Sequence, residues 1–139
     1  MAYSDDYLTD VFDRTDGRCH LCGKRLRFSA YGLHRESGCW EIEHSRAQAL
    51  GGGTWFGNLY AACVSCNRAK CTRSTRAVRN WHGRRRAPMS RSQQLAARET
   101  NAIVGALAGG TIGGVCFGRQ GFIVGVAIGL VIGYDQAPE

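Results

Sequence analysis

Apolar and polar residues recur with different periods along the chain, and these periods predict a small mixed domain followed by an apolar tail. Residues 4–14 carry apolar side chains at helical spacing behind a serine that can cap a helix, so they predict a short amphipathic helix. Alternation at 39–43 and the apolar run at 59–62 predict the two strands of a hairpin. The segment 66–79 contains no glycine or proline and predicts one helix after the hairpin.

The tail consists of two apolar segments, 102–118 and 121–134, separated only by Arg119 and Gln120. Glycine recurs in it at every fourth position except one: 105, 109, 113, 121, 125, 129 and 133. This spacing resembles the glycine zippers of membrane proteins, where small residues let helices approach closely. Each segment is shorter than the ~20 apolar residues of a full span, so we predict a membrane hairpin at 101–134 rather than one helix that buries Arg119. A soluble helical hairpin that packs on itself or on copies of itself is the alternative.

Positive charge is concentrated in the middle of the chain. The net charge is +7, but Gly17–Arg98 carries sixteen basic residues against three acids, whereas the tail is slightly acidic. Such a block predicts an anionic partner, either nucleic acid or an acidic lipid surface. The composition excludes an acidic disordered protein, a collagen-like repeat and a long coiled coil. Five basic residues near the hairpin and the following helix are the candidates for phosphate contact: Arg46, Arg68, Lys70, Arg73 and Arg76.

Two Cys-x-x-Cys pairs, Cys19/Cys22 and Cys63/Cys66, flank the predicted hairpin. Strand, loop, strand and helix within about forty residues form too small a core to fold on apolar burial alone. Four thiolates in two such pairs complete a tetrahedral zinc site, and closed four-sulfur coordination makes that zinc structural. Two disulfides or a redox pair are the alternatives. The absence of a signal-peptide pattern after Met1 disfavours the disulfides, and two Cys-x-x-Cys pairs are more specific for a metal than one.

The remaining cysteines, Cys39, Cys71 and Cys116, are interpreted as packing residues, and the aromatic residues Trp55, Phe56 and Trp81 as residues of the small core. His20 lies inside the first cysteine pair and is expected to point towards solvent rather than towards the metal.

Four motifs lie between the cysteine pairs or include the second pair, and they are informative as a set: Trp40–His44 (WEIEH), Gly51–Gly53, Asn58 and Cys63–Lys70 (CVSCNRAK). Their order and spacing resemble the HNH endonuclease family, in the form where cysteine pairs flank a ββα-metal hairpin. The resemblance covers about residues 17–82. It implies an α+β fold, with a small ββα-metal nuclease domain stapled by a four-cysteine zinc site and followed here by the glycine-rich helical hairpin.

The residues themselves supply the chemistry that phosphodiester hydrolysis needs. Histidine has the side chain whose ordinary pKa lies near neutrality, so His44 suits a base that activates water. A carboxylate such as that of Glu43 is a ligand for Mg²⁺ or Mn²⁺. The family resemblance implies that Glu43 and Asn67 together hold one catalytic Mg²⁺ or Mn²⁺ and that Asn58 braces the loop that orients His44. Glu43 stands where aspartate is commoner in the family, and Asn67 stands where histidine is commoner.

The expected organisation is a nuclease domain with its N-terminal helix at 1–83, a basic linker at 84–100, the tail hairpin at 101–134 and a polar end at 135–139. We predict a DNA endonuclease of low sequence specificity, tethered to the cytoplasmic face of the inner membrane by the positive-inside rule, that acts on incoming foreign or phage DNA. A cytoplasmic enzyme is the alternative location. Expected partners are DNA, membrane lipid through 101–134 and further copies of the chain through the glycines.

Two alternative functions remain. The chain could be an interbacterial toxin whose glycine zipper carries the nuclease across a membrane, in which case an immunity protein would be a partner. It could also be a zinc-dependent DNA-binding module that does not cut.

Overall fold

The computed structural model describes residues 3–136, and the chain divides into two units, Met1–Arg91 and Ser92–Glu139. The predicted polar end at 135–139 lies outside the described residues from position 137 onwards.

The first unit opens with helix α1, Asp5–Asp13, as its apolar spacing predicts. The side chain of Ser4 caps this helix by accepting a hydrogen bond from the backbone N–H of Tyr7 at 3.4 Å, and two aspartates in the first turn favour the positive end of the helix dipole. Leu8 and Val11 form its buried face. Helix α1 therefore adds apolar area to a domain whose hairpin alone would bury too little.

The centre of the first unit is an antiparallel hairpin of β1, Trp40–His44, and β2, Leu59–Cys63. Trp40 pairs with Cys63 and His44 pairs with Leu59, with one residue opposite one residue throughout. The pairing therefore contains no bulge, and His44, the last residue of β1, lies close enough to Glu43 and Lys70 for their charges to act on its pKa. Both strands were predicted, and each extends one residue further towards the C-terminus than the sequence pattern indicated.

Two helices follow β2 where one was predicted. Helix α2, Val64–Lys70, ends before Cys71, because the φ of 49° at Cys71 is incompatible with a continuing helix. A separate helix, α3, follows at Thr75–Trp81. The hydroxyl of Ser74 caps α3 by accepting from the N–H of Ala77 at 3.2 Å. The prediction of one helix was wrong because it relied on the absence of glycine and proline and overlooked the capping serine.

A single buried tryptophan organises the core. Trp40 is fully buried, its ring packs against those of Phe12, Phe28 and Tyr31, and its indole N–H donates to the carbonyl of Phe28 at 3.2 Å. Val11, Leu21, Leu59 and Val78 are also fully buried in the first unit.

Several residues interpreted as core lie on the surface instead. Trp55, Phe56 and Trp81 are each more than two-fifths exposed, because the first two lie in the turn before β2 and the third ends α3. Cys71 and Cys116 are exposed as well, and Cys39 is partly exposed. The interpretation of the exposed five as packing residues was wrong.

The second unit is built on one long helical element, α4, Arg91–Asp135, which Gly118 interrupts with φ 62° and ψ −150°. The sequence placed the interruption one residue later, at Arg119–Gln120. The segments on either side of Gly118 approach each other through their glycines. A Cβ atom added to Gly109 would lie 2.1 Å from the carbonyl oxygen of Gly125, and one added to Gly105 would lie 2.1 Å from that of Gly129. Any larger residue at these positions would force the two backbones apart.

The other surfaces of α4 are apolar and open. Val115, Phe117 and Leu107 are each at least two-thirds exposed. By length and composition α4 is the one helix among residues 3–136 that could cross a membrane. The membrane hairpin at 101–134 stays a prediction.

Candidate active site and metal centre

The two Cys-x-x-Cys pairs converge on one point. The sulfur atoms of Cys19, Cys22, Cys63 and Cys66 all lie within 4.8 Å of one another, and Sγ of Cys22 is 3.8 Å from Sγ of Cys63. Tetrahedral coordination with zinc–sulfur bonds of about 2.3 Å requires sulfur atoms about 3.8 Å apart. The cluster therefore fits a structural zinc.

Local backbone geometry explains the convergence of the sulfurs. Gly23, with φ 77°, closes a tight turn in which its N–H donates to the carbonyl of Cys19 at 2.8 Å. Cys63 precedes the first turn of α2, so Cys66 lies one turn further along that helix. No sequence motif pointed to His82, whose Nε2 lies 3.6 Å from Sγ of Cys66. It follows α3, whose separate existence was not foreseen.

Glu43 is buried in a cluster of polar side chains. Its carboxylate is 2 % exposed, with Oε1 at 2.6 Å from Nζ of Lys70 and Oε2 at 2.6 Å from Nε2 of His20. Burial would raise the pKa of Glu43, but the contacts with His20 and Lys70 outweigh burial and hold it below its ordinary value. Glu43 is therefore an ionised carboxylate in the interior, paired with a lysine.

His20 is fully buried, so the expectation that it points to solvent was wrong. Its backbone N–H donates to the carbonyl of Ala61 at 3.0 Å, which holds the zinc-binding turn against β2 and directs the ring inwards, stacked on Tyr60 at 4.8 Å between centroids. Burial lowers the pKa of His20, so the ring is neutral near pH 7. Nη2 of Arg79 donates to Nδ1 at 3.0 Å, which leaves the ring proton on Nε2, facing Glu43.

His44 ends β1 and is partly buried. Its Nε2 is shielded from solvent and has no hydrogen-bond partner among residues 3–136. Burial lowers the pKa of His44, so its imidazole is neutral and can accept a proton at neutral pH. A buried ring nitrogen without a partner is costly for stability, and such an atom is what a general base offers to a water molecule.

Asn58 fixes the loop that leaves His44. Its Oδ1 accepts from the N–H of Arg46 at 2.7 Å, and its Nδ2 donates to the carbonyl oxygens of Arg46 at 3.1 Å and Gly53 at 2.8 Å. The N–H of Ser45 also donates to the carbonyl of Asn58 at 2.8 Å. Asn58 is buried, so these bonds define one conformation of the loop.

Asn67 lies on α2 and contacts a different glutamate from the one expected. Its Nδ2 donates to Oε2 of Glu41 at 2.8 Å, and Oε1 of Glu41 lies 3.2 Å from Nδ1 of His34. Glu41 and Glu43 are two residues apart on one strand and so share a face of the hairpin. The sequence motifs pointed to neither Glu41 nor His34 as a site residue, although the alternation of side chains along the strand could have indicated Glu41.

The five candidate phosphate contacts divide into two groups. Arg46, Arg68, Arg73 and Arg76 are exposed. Lys70 is 1 % exposed, and its Nζ donates to the carbonyl of His44 at 2.9 Å besides its pairing with Glu43. Its assignment to the nucleic-acid surface was wrong, because helix periodicity turns it towards the hairpin while its neighbours face solvent.

Family comparison agrees with this geometry. Residues 19–73 match the HNH endonuclease family. The matched HNH segment contains the four cysteines, the hairpin and α2, and an HNH domain indicates nuclease activity on DNA. No curated protein and no solved structure matches the chain.

HNH nucleases use a divalent cation, and the donor chemistry of the HNH domain fits one. The candidate ligands, Glu43 and Asn67, offer oxygen atoms, which Mg²⁺ and Mn²⁺ prefer. Oε2 of Glu43 is buried and lies 2.6 Å from Nε2 of His20. The other carboxylate oxygen, Oε1, contacts the ammonium of Lys70, so this carboxylate already stabilises a positive charge.

Proposed function

We propose that the chain is a metal-dependent DNA endonuclease that hydrolyses phosphodiester bonds with low sequence specificity. The observation that carries the proposal is the unpartnered Nε2 of the neutral His44, at the end of β1 in a segment that matches the HNH family. A residue that served the fold alone would gain stability by pairing that atom.

In this mechanism Nε2 of His44 takes a proton from the attacking water, and Asn58 holds the loop so that the ring keeps one orientation. Glu43 and Asn67 would hold Mg²⁺ or Mn²⁺. Such a cation neutralises charge that develops on the phosphate and on the leaving oxygen.

Low sequence specificity is proposed from the distribution of charge. Arg46, Arg68, Arg73 and Arg76 are exposed around the hairpin and α2. Contacts of this kind reach phosphates and fix the register of the protein on DNA, but they do not distinguish bases. Binding should therefore weaken steeply with salt and differ little between sequences.

We further propose that α4 tethers the nuclease to the cytoplasmic face of a membrane, where it would meet incoming foreign or phage DNA. The length and apolar surface of α4 support a tether, and the basic residues before it favour a cytoplasmic nuclease domain. Carbonate-washed membranes should retain the full chain without detergent. Recovery in the soluble fraction would contradict the tether, and lethality that a partner protein relieves would favour the toxin.

The nuclease itself is tested on supercoiled plasmid, with the zinc-loaded full chain and its H44A variant in Mn²⁺, Mg²⁺ or EDTA. We expect metal-dependent nicking by the wild type and a loss of at least a hundredfold in H44A, the usual scale for removing a general base. Zinc content and near-ultraviolet circular dichroism control for folding. If both proteins bind the plasmid and neither cuts it, the chain is a DNA-binding module, an outcome that the burial of Glu43 beneath Lys70 would explain.

A further inference from the structure

Lys70 occupies the carboxylate on which the proposed cation depends. Its Nζ lies 2.6 Å from Oε1 of Glu43 and donates to the carbonyl of His44 at 2.9 Å, and both Lys70 and Glu43 are almost completely buried. We propose that the Lys70 ammonium is the resident counterion of Glu43 and that a divalent cation must displace it in order to bind. The inference rests on the proposed function, since it concerns the same cation site.

Glu43 already has basic partners without any metal. The Lys70 ammonium contacts Oε1, the His20 ring contacts Oε2, and the Arg79 guanidinium donates to the second ring nitrogen of His20. A buried carboxylate without a counterion would be strongly destabilising, so the lysine keeps the metal-free domain folded. A divalent cation that reached Glu43 while the ammonium stayed in contact would place two cations on one carboxylate.

Repulsion between these two cations makes their binding competitive. Lysine is suited to leave, because its charge is carried at the end of four flexible methylene carbons. The position of Lys70 favours its release: it is the last residue of α2, directly before the change of chain direction at Cys71, and its neighbours Arg68 and Ala69 are exposed. The affinity of the site for a cation is therefore lowered by the cost of removing the lysine.

The neighbouring cluster of His34, Glu41 and Asn67 provides the competing explanation. These side chains are more accessible than Glu43, with His34 52 % and Glu41 24 % exposed. A cation held there would leave Glu43 and Lys70 undisturbed. Its affinity would then depend on Glu41 and would not respond to the charge of residue 70, which separates the two arrangements experimentally.

The experiment measures Mn²⁺ binding by the zinc-loaded full chain from the electron paramagnetic resonance signal of free Mn²⁺, without DNA. Mn²⁺ binds most weakly of the common first-row divalent ions, so it leaves the four-cysteine zinc in place. The variants are K70Q, which removes the charge but can still donate to Glu43 and His44, and K70R, which keeps the charge. R68Q, on the exposed face of the same helix, is the matched control, and E43Q and E41Q test the ligands.

We expect K70Q to bind Mn²⁺ about tenfold more tightly than the wild type, K70R and R68Q to bind like the wild type, and E43Q to lose binding. If K70Q is poorly folded, the Mn²⁺-dependent rise in its melting temperature gives the same comparison, since a ligand stabilises the folded state according to its affinity. That rise should exceed the rise in the wild type. A lysine that only stabilises the fold would lower the melting temperature without raising the affinity.

Two other results would contradict either the competition between Lys70 and the cation or the cation site itself. Equal or weaker Mn²⁺ binding by K70Q, or binding that depends on Glu41 and not on Glu43, overturns the competition and leaves the nuclease proposal standing. If neither the wild type nor K70Q binds Mn²⁺, the cation site of the proposed function fails and this inference fails with it.

Discussion

Asn58 provides the most quantitative test of the site, because three hydrogen bonds depend on one buried side chain. N58A would remove the acceptor for the N–H of Arg46 and the donor to the carbonyl oxygens of Arg46 and Gly53. At about 1 kcal/mol for each bond, with a further penalty where a buried group stays unpaired, the free energy of unfolding should fall by roughly 2–4 kcal/mol. For a domain of this size that is a fall in melting temperature of roughly 10–25 °C.

N58D tests the orientation of the amide. Aspartate keeps the acceptor for the Arg46 N–H but presents an anionic oxygen to two carbonyl oxygens where Asn58 presents Nδ2. We therefore expect N58D to be less stable than N58A at pH 7. Protonation restores a donor, so the folded state raises the pKa of the new carboxyl, and the deficit of N58D should shrink as the pH falls through that pKa.

Thermal denaturation of the zinc-loaded chain, followed by near-ultraviolet circular dichroism, measures both variants. N80A, at an exposed position of α3, is the matched control and should change stability by less than about 0.5 kcal/mol. Plasmid nicking at a temperature where N58A is still folded should also fall, because the loop after His44 loses its brace. An N58D protein as stable as N58A, or an N58A protein as stable as N80A, would refute the hydrogen-bond assignment.

Three further predictions concern the zinc, the loop and the tail. Chelation of zinc, or C66S, should abolish the near-ultraviolet signal of the first unit, because structural zinc contributes about 10–16 kcal/mol to folding, whereas C71S at an exposed cysteine should not. G52A should lower the melting temperature far more than G57A, since its Cβ would lie 1.8 Å from the Arg46 carbonyl oxygen, against 3.3 Å from a Trp55 ring atom that can shift. G109L should separate the two segments of α4, measured by cysteine cross-linking across them, and G114A, whose nearest neighbour would be 3.4 Å away, should leave them in contact.

The sequence was most informative where chemistry and spacing act together. Two Cys-x-x-Cys pairs have few uses other than a shared metal, and the structure brings the four sulfurs within 4.8 Å of one another. The hairpin was predictable because alternation has one structural meaning when turn residues bound it. Glycines at every fourth position indicated close contacts, and a Cβ atom added to Gly109 or Gly125 would lie 2.1 or 2.0 Å from a backbone oxygen of the other segment of α4, while the membrane hairpin stays a prediction.

Burial of polar side chains was the property that the sequence could not reveal. Lys70 and Arg68 are two residues apart in one basic run, yet one pairs with Glu43 inside the domain and the other is exposed. Which member of a charge run turns inwards depends on where the helix begins, and that depends on the geometry of Cys63. His20 was misjudged for the same reason, since its direction is set by a backbone bond to Ala61.

That backbone bond joins the cysteine turn to β2, and the side chain of His20 reaches across to β1. His20 lies between two zinc-binding cysteines, and its side chain contacts Glu43, the residue directly before His44. Arg79 donates to both the ring and the carbonyl of His20, so α3 closes the same arrangement from the other side. Loss of zinc would release the turn that holds His20 and leave Glu43 with Lys70 alone. A zinc ion in the four-cysteine cluster would therefore also hold His20 against the carboxylate on which the proposed catalytic cation depends.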